Sequence, residues 1–444
     1  MREPPADADR AGLLLELGTV RRQLFERVAV HHLRAALQFA EGAADRVRIA
    51  IELTRALSQP GDVEESLNVI ADVLPALRHA PEFAALLEAN RVALASLHLA
   101  VRPADISPAL RVLERLDADN RSARLLRGVL ASDAMYRGEP ALAVRPSLDP
   151  ALAADAGSDA WDTNIATYLA FTAMICERHE GAARVLAAAL RRARSRGSSS
   201  AAAHVLSFRS HLYLRLGKVI DAEADAREAL DALDGLEVVA ITPLTVDALL
   251  ERDQPEEALE LLRRSDGADE LPPWLPSFVV RARRIALWVA VLRIDMALAD
   301  LDEAQRLAST TEFADSVATP WRAEGALACL AAGQTQRARA LADEHLRVAR
   351  AFGAPGALGA ALRVAGTVHG GRQGLELLQH AAETLADTPM RLERAKALAG
   401  LGGAQRRAGK RTQARRTLAL ALDLAGGPSG QRPFIGASRR SHPQ

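Results

Sequence analysis

The sequence predicts an all-α protein, a stacked array of about eleven helical hairpins at a mean period of roughly 38 residues. Three observations carry that expectation. A turn recurs between apolar segments, with small residues at fixed distances on either side of it. Hydrophobic residues make up 49% of the chain and aromatics only 4%, so the core must be built from Ala and Leu, the residues that lose least on entering a helix. Strand signals are nearly absent: there is no sustained alternation and no Asn-Gly hairpin turn.

The turns set the register. Gly61 is followed five positions on by Ser66, Gly138 by Ala143, Gly217 by Ala222, Gly333 by Ala338 and Gly409 by Ala414. Asp253 with Ala258 and Arg178 with Ala183 keep the spacing without the glycine. Seven positions before the glycine turns stand Thr54, Ala131, Ser210, Ala326 and Gly402, while Val246 and Phe171 occupy that place in the two degenerate units. A small side chain where two helices cross lets their backbones approach and the flanking Leu residues interdigitate. Beyond the turn, Ala222, Ala226 and Ala229, and likewise Ala414, Leu418 and Ala421, follow the four-then-three spacing of one helical stripe. This is a tetratricopeptide-like pattern, less strict than the roughly 34-residue unit, and such an α-solenoid is expected to curl into a superhelix with a concave face.

Residues 1–10 are expected to be disordered, 11–265 to form the N-terminal part of the array and 277–425 its C-terminal part. Between them, 266–276, with Gly267, Pro272, Pro273 and Trp274, reads as a loop or hinge. Pro103, Pro108, Pro140, Pro146 and Pro150 predict short helices, and Ala154–Ser158 a loop. The Gly/Pro/Ser-rich tail, 426–444, has no apolar period and is expected to be disordered.

Lys plus Arg and Asp plus Glu both number 56, which argues against direct nucleic-acid contact. Two cysteines, Cys176 and Cys329, each in an apolar run, provide no disulfide framework and suit a reducing cytoplasm. Neither a signal peptide nor a membrane span is evident.

Tests for chemistry come back empty, so the chain is not expected to be an enzyme and no catalytic, cofactor or metal residue is assigned. Gly403 to Lys410 has the look of a phosphate loop, but five residues separate Gly403 from Gly409 where four are needed, and Arg411 stands where a hydroxyl belongs. It reads as a helix-pair turn bending at Gly409. His204 and His211, seven apart, could share a helix face without a third ligand, and adjacent His31 and His32 point apart. Trp161, Trp274, Trp288 and Trp321 read as packing residues rather than ligand contacts. The runs at Arg191–Arg194, Arg281–Arg284 and Arg406–Arg407 read as solvated faces.

Segments Ala44–Leu57, Leu206–Leu233 and above all Thr319–Leu424 resemble the helical-repeat region of large ATP-binding LuxR-type transcriptional regulators, relatives of the maltose regulator. The echoes include Ala349-Arg350-Ala351-Phe352-Gly353-Ala354-Pro355, Gly374-Leu375-Glu376-Leu377-Leu378, and Arg391-Leu392-Glu393-Arg394-Ala395 before Leu401-Gly402. The likeness runs from about Ala11 to Ala425. In that family the repeats lie between an ATPase and a helix-turn-helix, and the resemblance implies a region that receives an inducer or a protein partner. Here no Walker motif precedes the repeats and no basic helix-turn-helix follows them. ATP would belong to the missing ATPase domain, so no cofactor is expected in this chain. A sensor or interaction region of a LuxR-type regulator and a stand-alone protein-binding scaffold both remain open.

Overall fold

A computed structural model of the chain describes residues 7–23, 26–58, 62–97, 105–153, 163–232, 236–264, 276–311 and 315–426. Gly61, Pro103, the loop at 154–158, Trp161, Trp274 and the tail from 427 lie outside them, as does the expected hinge apart from Pro276, which begins a helix. Among the described residues every regular element is a helix, and the chain is an α-solenoid of helical hairpins.

In chain order the helices are α1 Asp7–Gln23, α2 Val28–Phe39, α3 Ala43–Ser58, α4 Val63–Val73, α5 Pro81–Leu97, α6 Ser107–Leu113, α7 Arg121–Tyr136, α8 Ala141–Ala153, α9 Thr163–Ile175, α10 His179–Ser195 and α11 Ser199–Arg215. They continue with α12 Val219–Asp231, α13 Leu236–Glu251, α14 Pro255–Arg264, α15 Pro276–Ala290, α16 Ile294–Ala308, α17 Trp321–Ala331, α18 Thr335–Phe352, α19 Pro355–His369, α20 Gly371–Thr384, α21 Arg391–Arg407 and α22 Arg411–Gly426. The chain forms two compact units. The first takes the described residues up to Asp133 and Pro146–Leu169; the second takes Ala134–Arg145 and the described residues from Ala170 onward.

In the first unit α1, α2 and α3 pack through Leu15, Leu33, Ala36, Ile49 and Leu53. Leu33 is fully buried, so truncating it to Ala costs about 2–5 kcal/mol. The helix α1 starts at Asp7, so residues 7–10 are helical rather than disordered. Asp9 in the first turn suits the positive end of the helix dipole. A second core of Ala50, Ile70, Leu77 and Leu87 follows, and the Asp62 carboxylate caps α4 by accepting from Glu65 N at 3.1 Å.

The hairpin geometry explains the spacing in the sequence. At each of the turns that end α7, α9, α11, α13, α15, α17 and α21, one residue adopts left-handed φ. The residue after it donates a hydrogen bond five positions back, as in Lys218 N to Tyr213 O at 2.8 Å and Lys410 N to Gln405 O at 2.9 Å. That bond satisfies a carbonyl the helix leaves orphaned. The two small positions then meet at the crossing: Ser66 Oγ donates to Thr54 O at 3.2 Å and Ser210 Oγ to Ala222 O at 2.7 Å. At Gly402 a Cβ would lie 2.6 Å from Leu418 Cγ.

Three registers differ from expectation. The left-handed residue between α9 and α10 is Glu177, not Arg178, so Ala182 is the buried small residue and Ala183 is exposed. After Gly138, α8 begins one residue later than its counterparts, beyond Pro140, and the buried stripe becomes Ala141, Val144 and Leu148 while Ala143 faces out. Leu292, with φ of 62°, and Ala297, fully buried, form a turn of the same kind with no glycine to mark it.

The proline expectation holds for α6, which spans 7 residues, and fails for α8, which runs for 13 through Pro146 and Pro150. Both prolines lie on the exposed face with Leu142, so the carbonyls of Leu142 and Pro146 that lose a donor can turn to water.

Candidate recognition site in the second unit

In the second unit six inner helices form a closed circuit. The helix α11 packs on α13, α13 on α15, α15 on α17, α17 on α19, α19 on α21, and α21 returns to α11. The seam is specific. Leu392 joins Leu214, Val219, Ala222, Ala226 and Ala248 in one apolar cluster. Glu177 Oε1 accepts from Gly356 N at 2.5 Å, and Arg215 Nη2 reaches Met390 Sδ at 3.7 Å.

The inner faces of these helices carry charge. Arg283 on α15 pairs with Asp247 on α13 at 2.9 Å and with Glu324 on α17 at 3.4 Å. Arg363 on α19 pairs with Glu393 on α21 at 2.5 Å, and Lys396 on α21 pairs with Glu251 on α13. Electrostatic reach extends further, from Arg283 to Glu251 and Glu393 and from Arg363 to Glu324 and Glu251, so all these groups share one interior. Their side chains remain 14–25% exposed, so the enclosure is partly accessible to solvent.

Enclosure shifts the titrations in opposite directions. Burial raises the carboxyl pKa of Glu251 and Glu324 above the usual value, the Lys396 ammonium offsetting it only partly at Glu251 and Arg283 and Arg363 only partly at Glu324. At Glu393 burial also raises, but Arg363, Lys396 and Arg215 outweigh it and the pKa is lowered. Burial pushes His345 down to about 4, assisted by Arg322 and Arg363. Proton affinity is thus divided among neighbouring groups.

Sequence reasoning assigned no site residues and missed this set. A signal was present. Arg215 and Glu251 stand two positions before the left-handed turn residue, His211 and Asp247 six before, Arg283 and Glu324 nine before, and Lys396 thirteen before. Offsets of two, six, nine and thirteen trace one face of an α-helix.

Of the residues singled out earlier, His211 and Arg283 face this interior and the others fall elsewhere. His204 and His211 both touch one aromatic cluster: His204 lies 5.2 Å from Phe208 and His211 6.1 Å from Phe171, between ring centroids. Among the described residues no group of three His, Cys, Asp or Glu could hold a metal. Trp321 is buried and Trp288 donates Nε1 to Asp300 at 2.9 Å. Arg281 and Arg284 are not a solvated face. Both are buried on Asp300, at 3.3 Å and 2.9 Å, because their positions on α15 point at α16. Cys176 and Cys329 are buried and not joined in a disulfide. Gly403–Lys410 is the end of α21 and its turn, with Gly409 at φ of 76°. Among the described residues no helix is long and apolar enough to cross a membrane.

No protein-family model matches the chain, and no curated protein does. Solved structures similar to it include the APC/C hetero-tetramer Cut9-Hcn1, at 15% identity over 94% of this chain and 87% of that one, with a TM-score of 0.37. A Signal Transduction ATPase with Numerous Domains protein with a tetratricopeptide repeat sensor, from Pyrococcus horikoshii, is similar at 11% identity over 93% and 75%, with a TM-score of 0.41. Yeast Tom70 is similar at 14% identity over 94% and 92%, with a TM-score of 0.33.

Proposed function

We propose that this chain is a recognition module whose second unit receives a charged partner on the interior faces of its inner helices. The observation that carries the reading is the gathering of Asp247, Glu251, Arg283, Glu324, Arg363, Glu393 and Lys396 from five helices into one partly accessible enclosure. Stability alone gives no reason for it, since well-packed apolar residues in place of a buried ion pair are often neutral or stabilising. A polar partner can exchange into such pairs, and by favouring one arrangement of the seam it would shift the population of the ring. The finer reading is the sensor or interaction region of a LuxR-type regulator acting in the cytoplasm, supported by the likeness of the segments between Thr319 and Leu424. Its partner is then a protein or a small-molecule inducer, with ATP and DNA left to other domains. A stand-alone scaffold would use the same interior.

Capture from a lysate of the source cells, with the wild-type chain and the Glu324→Gln/Arg363→Gln variant as baits of equal helicity, tests the reading. A polypeptide or metabolite retained by the wild type and lost by the variant supports it. Equal recovery of everything contradicts it. For the regulator reading, the DNA flanking the reading frame is translated in all frames, where Walker-type ATPase and helix-turn-helix coding is expected; their absence on both sides favours the scaffold.

A further inference from the structure

Among the described residues, one cation of the interior has no carboxylate in contact. Arg283, Arg363 and Lys396 each hold a carboxylate at ion-pair distance, whereas Arg215 touches only the Met390 thioether through Nη2, and its Nε is buried without an acceptor. The nearby carboxylates are engaged elsewhere: Glu177 with Gly356 N, Glu393 with Arg363. Two imidazoles stand within electrostatic reach of the guanidinium. His179, at the start of α10, is 7% exposed and its Nε2 has no partner. His211 Nδ1 is also buried without a hydrogen bond, its closest carboxylate, Asp247, being 3.7 Å away and held by Arg283. Burial lowers both imidazoles, His179 to about 4, so each is neutral at pH 7 and can present one N–H. Three buried nitrogens without hydrogen-bond partners fall in one neighbourhood, each at the cost of a desolvated polar group.

We propose that Arg215, His179 and His211 form a binding site for the oxyanion of a small molecule, a carboxylate or phosphate ester, at the seam where α21 closes on α11. The planar guanidinium fork matches two oxygens of such a group, and a neutral imidazole on either side completes its hydrogen bonds. Occupancy would brace the seam, because Arg215 already touches Met390 beside α21. The inference rests on the interior being a recognition surface and names the chemistry one part of it takes.

The test is isothermal titration of the full chain with inorganic phosphate and, separately, with succinate, in the wild type and in Arg215→Met. One saturable site for at least one of the two is expected, weakened about ten-fold or more in the variant, the loss that follows removal of a charge-assisted hydrogen bond. No saturable binding of either, or binding that Arg215→Met leaves unchanged, overturns the proposal. Should that variant fail to fold, histidine NMR of the wild type decides: the His179 and His211 signals must move in step with occupancy, and unmoved signals overturn the site. Capture that depends on Glu324 and Arg363 while neither anion binds overturns the oxyanion site alone and leaves the interior reading standing.

Discussion

The Glu177 carboxylate accepts a hydrogen bond from the Gly356 amide at 2.5 Å across 179 positions of sequence. Glu177 sits at a turn, in left-handed conformation with φ of 61°, and Gly356 lies in the first turn of α19, so one short contact ties the entry of α10 to α19 beside the seam. Hydrogen bonds to charged groups contribute about 1.5–3 kcal/mol. Glu177→Ala is expected to lower stability by about 2 kcal/mol, read as a lower urea midpoint at unchanged slope; an unchanged midpoint would show that the seam does not depend on this bond.

Lys396 and Glu251 form the ion pair that spans from α21 to α13. Removing one partner of a fully buried pair costs about 3–5 kcal/mol. With side chains 25% and 17% exposed, Lys396→Met should cost about 2 kcal/mol. Adding Glu251→Met should restore most of the loss, since the uncompensated carboxylate goes with it. A double-mutant cycle measures this, and additive losses would mean the two groups do not interact.

Two glycines predict opposite signs. At Gly374 a Cβ would lie 2.4 Å from Gly366 O on the facing helix, so Gly374→Ala must separate α19 from α20 and is expected to cost about 1–3 kcal/mol. At Gly403 a Cβ would meet only Arg407 Nη1, at 3.6 Å, so Gly403→Ala should stabilise by up to about 1 kcal/mol through helix propensity. Thermal midpoints of the two variants moving the same way would contradict this.

The repeat was legible because its geometry forces residue types. Small residues at Ser210 and Ala222 must meet, and the bond from Lys218 N to Tyr213 O needs a left-handed residue between helices, which glycine supplies most readily. Where another side chain accepts that conformation, as Leu292 and Glu177 do, the turn leaves no mark, and the stripe beyond it was missed or misplaced by one. Proline in α8 misled because the rule concerns the lost donor, and an exposed carbonyl can turn to water. The candidate site was the least legible part. Arg283 lies one residue from Arg284, yet Arg284 packs on Asp300 and Arg283 faces Asp247 and Glu324. Only the register of the turn at Leu292 separates the two, and ring closure joins residues no local pattern connects.

Acid should unfold the protein through its histidines. Burial holds His179, His204 and His345 each to about 4 in the folded chain, against 6.5 for the free group. These imidazoles bind more protons in the unfolded chain between those values, so their contribution to stability falls as pH is lowered from 6.5 toward 4, while the raised carboxyls of Glu251 and Glu324 act in the opposite sense. Urea midpoints across pH 4–8 check the slope. Removing the aromatic-cluster member by His204→Phe should lessen the loss on the acid side, and the same pH dependence in wild type and variant would contradict the burial of this imidazole.

Closure of the ring is tested most directly by joining its two ends. A Cβ at Gly217 would lie 3.0 Å from Arg391 Cβ, closer than the roughly 3.5–4.5 Å a disulfide spans, so a crosslink here needs a small opening of the left-handed turn at Gly217. In a Cys176→Ser/Cys329→Ser background, mild oxidation of dilute Gly217→Cys/Arg391→Cys protein should give an intramolecular crosslink with faster migration on a non-reducing gel and helicity unchanged. A chain that stays uncrosslinked while folded, with both thiols open to a labelling reagent, would mean that α21 does not return to α11, and the enclosed charged interior would not exist.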